Sequence, residues 1–299
     1  MGNRFEITVA ADQEKWAMET IEEAITEIKR IEDLLTTFKE TSQANEINRN
    51  AGIQPVKVDQ EVFDLIARSI KISELTQGAF DITYGSIDKS LWNFDTNMKS
   101  LPDKKIASQM VRLINYKNIQ LNEKDHCVFL KLPGMRIGFG GIGKGYAADR
   151  AKYILQQKGV DCGIVNAAGD LISWGNQPNG EPWTIGIADP DSAHFPFSSL
   201  NITNKAVATS GNYEKYAIVN GKRYSHTINP KTGFPVSGIK SVTIISPTAE
   251  LADALATPVM VMGINVGLDM INQMKGIASI IIDDNNNLFT SANIKINRV

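Results

Sequence analysis

The apolar positions of this chain fall into short periodic runs separated by polar stretches. Residues 5–10 (FEITVA) alternate apolar and polar, the period of a strand with one buried face. From 12 to 35 the period lengthens to three or four. Ile21, Ile25, Ile28, Ile31 and Leu35 then share one stripe of a long amphipathic helix, with Asp12 placed to cap it. Residues 37–52 (TFKETSQANEINRNAG) read as too hydrophilic for core. The pattern predicts a second helix over 61–77, with Val62, Leu65, Ile66 and Ile70 inward and Gly78 as its terminating glycine. Residues 80–95 (FDITYGSIDKSLWNFD) mix β-branched, aromatic and turn-forming residues and read as irregular.

Further on, strands are expected at 127–132 and 135–139 around Pro133-Gly134, then a helix over 144–158 stopped by Gly159. Short β runs follow: GIVNAAG, WTIGIA, SLNITNKAVATS, YAIVNG and SVTIIS. A last helix should start near Thr248 and break at Pro258, and the run ASIIIDDNNNLFTSAN reads as a hairpin around 284–287. Helices and strands interleave without a regular βαβ rhythm, which points to a single α+β unit.

Composition narrows the classes of function. Of 299 residues, 42% are hydrophobic and 21% charged, an ordinary globular balance. With 31 basic and 33 acidic residues the net charge is −2 and no basic run occurs, which excludes nucleic acid as the main partner. Cys127 and Cys162 lie among apolar neighbours and read as reduced, buried thiols; one disulfide is the other arrangement two cysteines allow. No apolar run approaches the ~20 residues that span a bilayer. The opening MGNRFEITVA has neither the basic nor the apolar segment of a signal peptide.

Candidate chemistry begins with the glycine run Gly138-Phe139-Gly140-Gly141-Ile142-Gly143-Lys144-Gly145. It satisfies G-x-G-x-x-G and nearly satisfies the P-loop pattern, failing where Gly145 replaces Ser or Thr. The dinucleotide reading is weak, because Asp161 precedes the following strand instead of ending it. Glycines ahead of a helix still let backbone N–H groups approach a phosphate, and Lys144 adds positive charge. A tight strand-to-helix turn with a solvated lysine is the plainer alternative. Asp253 and Thr257, four apart on a helix, share a face and offer hard oxygen ligands to Mg²⁺ or Ca²⁺. Otherwise they are an Asp near a helix start and a Thr before a proline. Thr209-Ser210-Gly211 reads as a phosphate cap or a simple turn. His126 and His194 read as surface residues, while His226 sits between a strand and a Pro/Gly turn, where functional side chains are often displayed. No nucleophile elbow, thiolate metal site or Cys–His pair is present.

Taken in order, MGNRFEI, LLTTFKETSQANEIN, GAFDITYGSIDKSLW, GFGGIGKGYAADRA, VNAAGDL, VATSGNYEKY, SHTINPKTGFP and ADALATPVMVMG resemble the FAD:protein FMN transferases (ApbE-type) over about positions 1 to 265. The resemblance implies one α+β domain over 1–299, or two subdomains with the FAD site between them. It implies FAD as substrate, Mg²⁺ as cofactor, release of AMP, and transfer of FMN to a Thr of an acceptor protein. Metal ligands would be Asp253, Thr257 and the main chain at Gly141. Asp253 and His226 would be catalytic, with His226 activating the acceptor hydroxyl or steadying the phosphates. FAD contacts would fall at Met1, Phe38, Ala79, Phe80, Asp81, Gly138, Lys144, Thr209, Ser210 and Gly211. Two other readings are a hydrolytic FAD pyrophosphatase and a non-catalytic flavin-binding module.

Three positions depart from the family pattern. Gly138 and Asn229 stand where Asp is usual, and Phe38 where Tyr is common. Residues around Asn48 are expected to bias transfer against hydrolysis. Family members usually work outside the cytoplasm, so a periplasmic or envelope location is expected, with membrane association only through an anchor preceding this sequence.

Overall fold

The alternating run near the start forms β1 (Phe5–Val9), the edge of a seven-stranded sheet. The computed structural model describes residues 4–88, 100–101, 103–189, 192–211 and 216–294, with side chains described except at 188–198. Met1, residues 89–99 and the side chain of His194 therefore lie outside the described residues. The chain divides into two compact units, one of Met1–Ile31, Ile142–Glu214 and Ile239–Val299, the other of Glu32–Gly141 and Lys215–Gly238.

In the first unit the sheet also contains β5 (Gly163–Ala167), β6 (Asp170–Trp174), β9 (Ala206–Gly211), β12 (Ile239–Ser246), β13 (Ala278–Asp283) and β14 (Leu288–Thr290). The strand order is β1-β5-β6-β9-β12-β13-β14, and every neighbouring pair is antiparallel. All positions of β6, β12 and β13 are buried, so both faces of the sheet centre are covered. On one face lie α5 (Gly143–Gln157), against β5 and β6, and α6 (Ala249–Met262), against β9 and β12. Elsewhere Leu171, Val207, Ile245 and Ile280 pack with Ile187 and Ile202 of the ribbon β7 (Trp183–Asp189) and β8 (Ser192–Ile202). The helix α7 (Ile264–Asn272) packs on α6 and β13.

The helix α1 (Glu14–Leu35) follows β1 and buries Ala24, Ile28, Ile31 and Leu35, close to the predicted stripe. It starts one residue later than an Asp12 cap would place it. Ala17 N–H bonds the carbonyl of Gln13, so Gln13 takes the cap position and Asp12 stands outside it. The helix α6 does not break at Pro258: it runs on to Met262, capped by Thr248, whose hydroxyl accepts from Leu251 N–H. Proline removes one N–H there, and burial of Leu255, Val259 and Met260 holds the helix together. The strand β6 and helix α7 were not anticipated.

The second unit holds α2 (Gln43–Arg49), β2 (Val56–Lys57), α3 (Gln60–Leu75), α4 (Lys104–Met110), β3 (Ile119–Asn122), β4 (Cys127–Leu130), β10 (Tyr216–Val219) and β11 (Lys222–Ser225). Several expectations fail here. The stretch 37–52 is not merely surface loop: α2 buries Ala44, Asn45, Ile47 and Asn48. Ser42 caps Asn45 N–H at 3.1 Å, and the Asn45 amide donates to the carbonyls of Thr37 and Lys39, so these buried polar groups are satisfied. Residues 135–139 do not pair with β4, whose partners are β2 and β3. Met135, Ile137 and Phe139 are buried in alternation, as the pattern required, but the backbone of Ile137 bonds a side chain instead of a strand. Ile70 is only half-buried, its expected place taken by Phe63 and Ile72. Both cysteines are free and half-buried, not buried. No described helix is long and apolar enough to cross a membrane.

Candidate functional site

In the first unit the site grows out of the contact between α5 and α6. Gly145 lies in the first turn of α5, and a Cβ built on it would come within 2.1 Å of the Ala249 carbonyl oxygen. A glycine is therefore required for the two helices to meet, which explains why the P-loop pattern fails at this position. The N–H of Gly145 donates to Asp253 Oδ2 at 3.1 Å. One turn further along α5, Asp149 accepts from the N–H groups of Ala249 and Glu250 at 2.9 and 2.8 Å, capping α6 from its neighbour. Burial raises the Asp149 carboxyl to about 6, with those two N–H groups opposing the shift.

Asp253 is buried, and burial followed by the charge of Asp170 raises its pKa to about 8. It is hydrogen-bonded to Asp170, whose side chain is itself buried. Burial raises the Asp170 carboxyl as well, while Lys144, a backbone N–H from Thr209 and the Asp253 carboxyl hold it down. The Lys144 ammonium donates directly to Asp170 Oδ2. Thr257, one turn after Asp253, shares a hydrogen bond of 3.0 Å with Ser210 Oγ.

Lys144, Ser210, Asp253 and Thr257 are thus gathered where α5, α6 and β9 meet. Thr209, Ser210 and Gly211 are not a turn but the end of β9, paired with Thr243, Val242 and Ser241. Strand alternation sends Ser210 toward α6 and Thr209 away from it, where its hydroxyl meets that of Thr243 at 2.9 Å.

The second unit carries the other predicted positions. Phe80 is buried, and its ring lies 3.5 Å from where a Cβ on Gly141 would stand. Ala79 is buried beside it. Asp81 accepts from Thr83 N–H at 2.8 Å, Thr83 Oγ1 at 2.6 Å and Tyr116 N–H at 2.9 Å, so its carboxylate fastens its own loop. Gly138 N–H bonds the Ile82 carbonyl at 3.0 Å. A cleft of about 670 Å³, lined by Gly78, Asp81, Arg112, Asn115, Tyr116 and Lys231, takes in Asp81 but none of the other predicted positions.

Phe38 is 96% exposed, its ring held out to solvent. His226 is exposed between buried Ser225 and Thr227 on a fastened segment. Thr227 N–H bonds Ser225 Oγ, Ile228 N–H bonds Tyr84 Oη, and Ile228 packs with Met110 and Val111. The Asn229 side-chain oxygen accepts from Lys231 N–H at 2.9 Å. His126 is half-buried against Phe63 with ring centroids 5.6 Å apart, not a surface residue.

Asp149 and Asp170 had no role assigned from the sequence. The available signal was a carboxylate opening the apolar run DLISW, and another four residues after Gly145 on the same helix. Asn48 proves to be a clamp, its amide bonding both N–H and C=O of Ile137 at 2.7 and 3.1 Å.

The described residues contain no group of three or more His, Cys, Asp or Glu gathered for a metal. Asp253 and Thr257 offer a carboxylate and a hydroxyl, hard oxygens that suit Mg²⁺ and not the softer transition metals. A Mg²⁺ ion commonly takes one or two protein oxygens and completes its shell with water and substrate phosphate. The residues present fit that habit.

The model of the ApbE family matches residues 1–281. The chain belongs to the ApbE family. A FAD:protein FMN transferase of Klebsiella pneumoniae is 34% identical over 267 residues, covering 89% of this chain and 82% of that protein. One from Treponema pallidum is 29% identical, covering 92% and 80%. The crystal structure of the ApbE protein from Thermotoga maritima superposes with a TM-score of 0.86 at 32% identity, covering 97% of this chain and 94% of that one. The apo flavinyl transferase ApbE of Pseudomonas stutzeri gives 0.83 at 25% identity, covering 97% and 91%. This ApbE member has the α+β architecture expected of it, with antiparallel sheets and helices packed on them.

Proposed function

We propose that this ApbE-family chain is a Mg²⁺-dependent FAD:protein FMN transferase. The observation that carries the reading is the buried Asp253 carboxyl, one turn from Thr257 on α6 and next to the Lys144–Asp170 pair. Asp253 and Thr257 would hold Mg²⁺, joined by the main-chain carbonyl of Gly141. A metal held there would supply charge neutralisation to a bound pyrophosphate. Lys144 offers a positioned ammonium to the same oxygens.

In the reaction an acceptor Thr hydroxyl attacks the phosphorus of the FMN half. The bond from that phosphorus to the bridging oxygen breaks, AMP leaves with the oxygen, and FMN stays on the acceptor as a phosphoester. The hydroxyl proton needs a base, and His226, exposed on a fastened segment, is suited to take it. The exposed ring of Phe38 offers a stacking face for the flavin. A location outside the cytoplasm belongs to the same proposal and rests on the family resemblance alone.

The test is incubation with FAD and Mg²⁺, with and without a peptide bearing a Thr acceptor, followed by separation of AMP, free FMN and labelled peptide. AMP together with flavin on the peptide is the expected result. AMP with free FMN alone would replace transfer by hydrolysis. No AMP with any divalent metal would leave a binding module.

A further inference from the structure

Asp170 ties together three segments that the proposed function uses separately. Its carboxylate accepts from Lys144 Nζ at the start of α5 and from the backbone N–H of Thr209 on β9, and it is hydrogen-bonded to Asp253 on α6. It sits at the first position of a strand buried at every residue. The Lys144 ammonium is half-buried, with 23% of its side chain exposed, and a partly desolvated charge is favoured by an anionic partner. Two carboxyls stand nearby, Asp170 bonded to the ammonium itself and Asp253 hydrogen-bonded to Asp170. The direct partner is Asp170.

We infer that Asp170 is a positioning residue, the counter-ion that holds Lys144 in place and keeps it from pairing with Asp253. The inference rests on the proposed metal role of Asp253. With Asp170 taking up the ammonium, the Asp253 carboxyl is left available to a cation. Without Asp170, Asp253 is a buried carboxyl that Lys144 already acts on, and the resulting ion pair would compete with Mg²⁺. A fixed ammonium also fits phosphate binding better than a mobile one, since less side-chain order is lost on contact.

The test measures metal binding directly. Mg²⁺ is titrated calorimetrically into the wild-type chain, Asp170→Asn, Lys144→Met and the double variant, with circular dichroism confirming the fold of each. Asp170→Asn is expected to weaken Mg²⁺ binding at least tenfold. The double variant, which removes the competing ammonium, should recover to within threefold of wild type. A merely structural role for Asp170 gives no such rescue. Wild-type affinity in Asp170→Asn, or losses that add in the double variant, would overturn the inference. If Asp170→Asn alone does not fold, the double variant decides: folding with Mg²⁺ binding supports the inference, and failure to fold overturns it. No Mg²⁺ binding by the wild type would instead remove the metal reading beneath it.

Discussion

The main-chain N–H of Gly145 donates to the side chain of Asp253 across 108 residues of sequence, at 3.1 Å. The bond joins the glycine-rich start of one helix to the proposed metal ligand on another. It forms only because Gly145 lets the helices approach so closely.

Replacing Asp253 by Asn separates fold from chemistry. An amide of the same shape keeps both bonds of the Asp253 side chain, accepting from Gly145 and donating to Asp170. Stability should stay within about 1 kcal/mol of wild type by urea unfolding. AMP release should fall at least about 100-fold, and the rise in melting temperature on adding Mg²⁺ should vanish. Full activity in this variant would end the metal assignment.

Gly145→Ala should be costly for a different reason. The added methyl would meet the Ala249 carbonyl at 2.1 Å, backbone against side chain with no flexible end to yield. A loss on the order of 3 kcal/mol is expected from forced separation of α5 and α6. A urea midpoint unchanged from wild type would show that the helices part freely.

Asp149 gives a pH dependence with a definite sign. Its carboxyl is raised from 3.8 to about 6 by burial, so the folded chain keeps this proton longer than the unfolded chain does. The stability contributed by Asp149 is therefore greatest below about pH 4 and declines as pH rises to about 6, by on the order of 3 kcal/mol. Unfolding wild type and Asp149→Asn at several pH values should show their stability difference moving against wild type over that window. A difference constant with pH would refute the shift.

Phe38→Ala should leave stability within about 0.5 kcal/mol, since the ring is 96% exposed. If the ring stacks on the flavin, quenching of FAD fluorescence should report a Kd raised about 2- to 12-fold. An unchanged Kd would remove Phe38 from the FAD site.

Periodicity alone located β1, α1, α3, α5 and the terminal hairpin, because each buries one face at a fixed spacing that the sequence displays. It misjudged 37–52 and 135–139 for one shared reason. Asn48, in the polar stretch, bonds the backbone of Ile137, so a polar residue is buried and an extended segment needs no partner strand. Hydrophobic pattern does not record a hydrogen bond between residues 89 apart.

The sequence by itself determined the family, through motifs kept in order, and the pairing of Asp253 with Thr257 on one helical face, through a spacing of four. Tertiary structure decided what surrounds that pair. Packing of α5 on α6 withdrew Asp253 from water and brought Asp170 and Lys144 beside it, and the pairing of β9 in the sheet turned Ser210 toward Thr257. Helical spacing is a local property of the chain. Burial and charge proximity depend on residues distant in sequence, and they exist only once the core has closed.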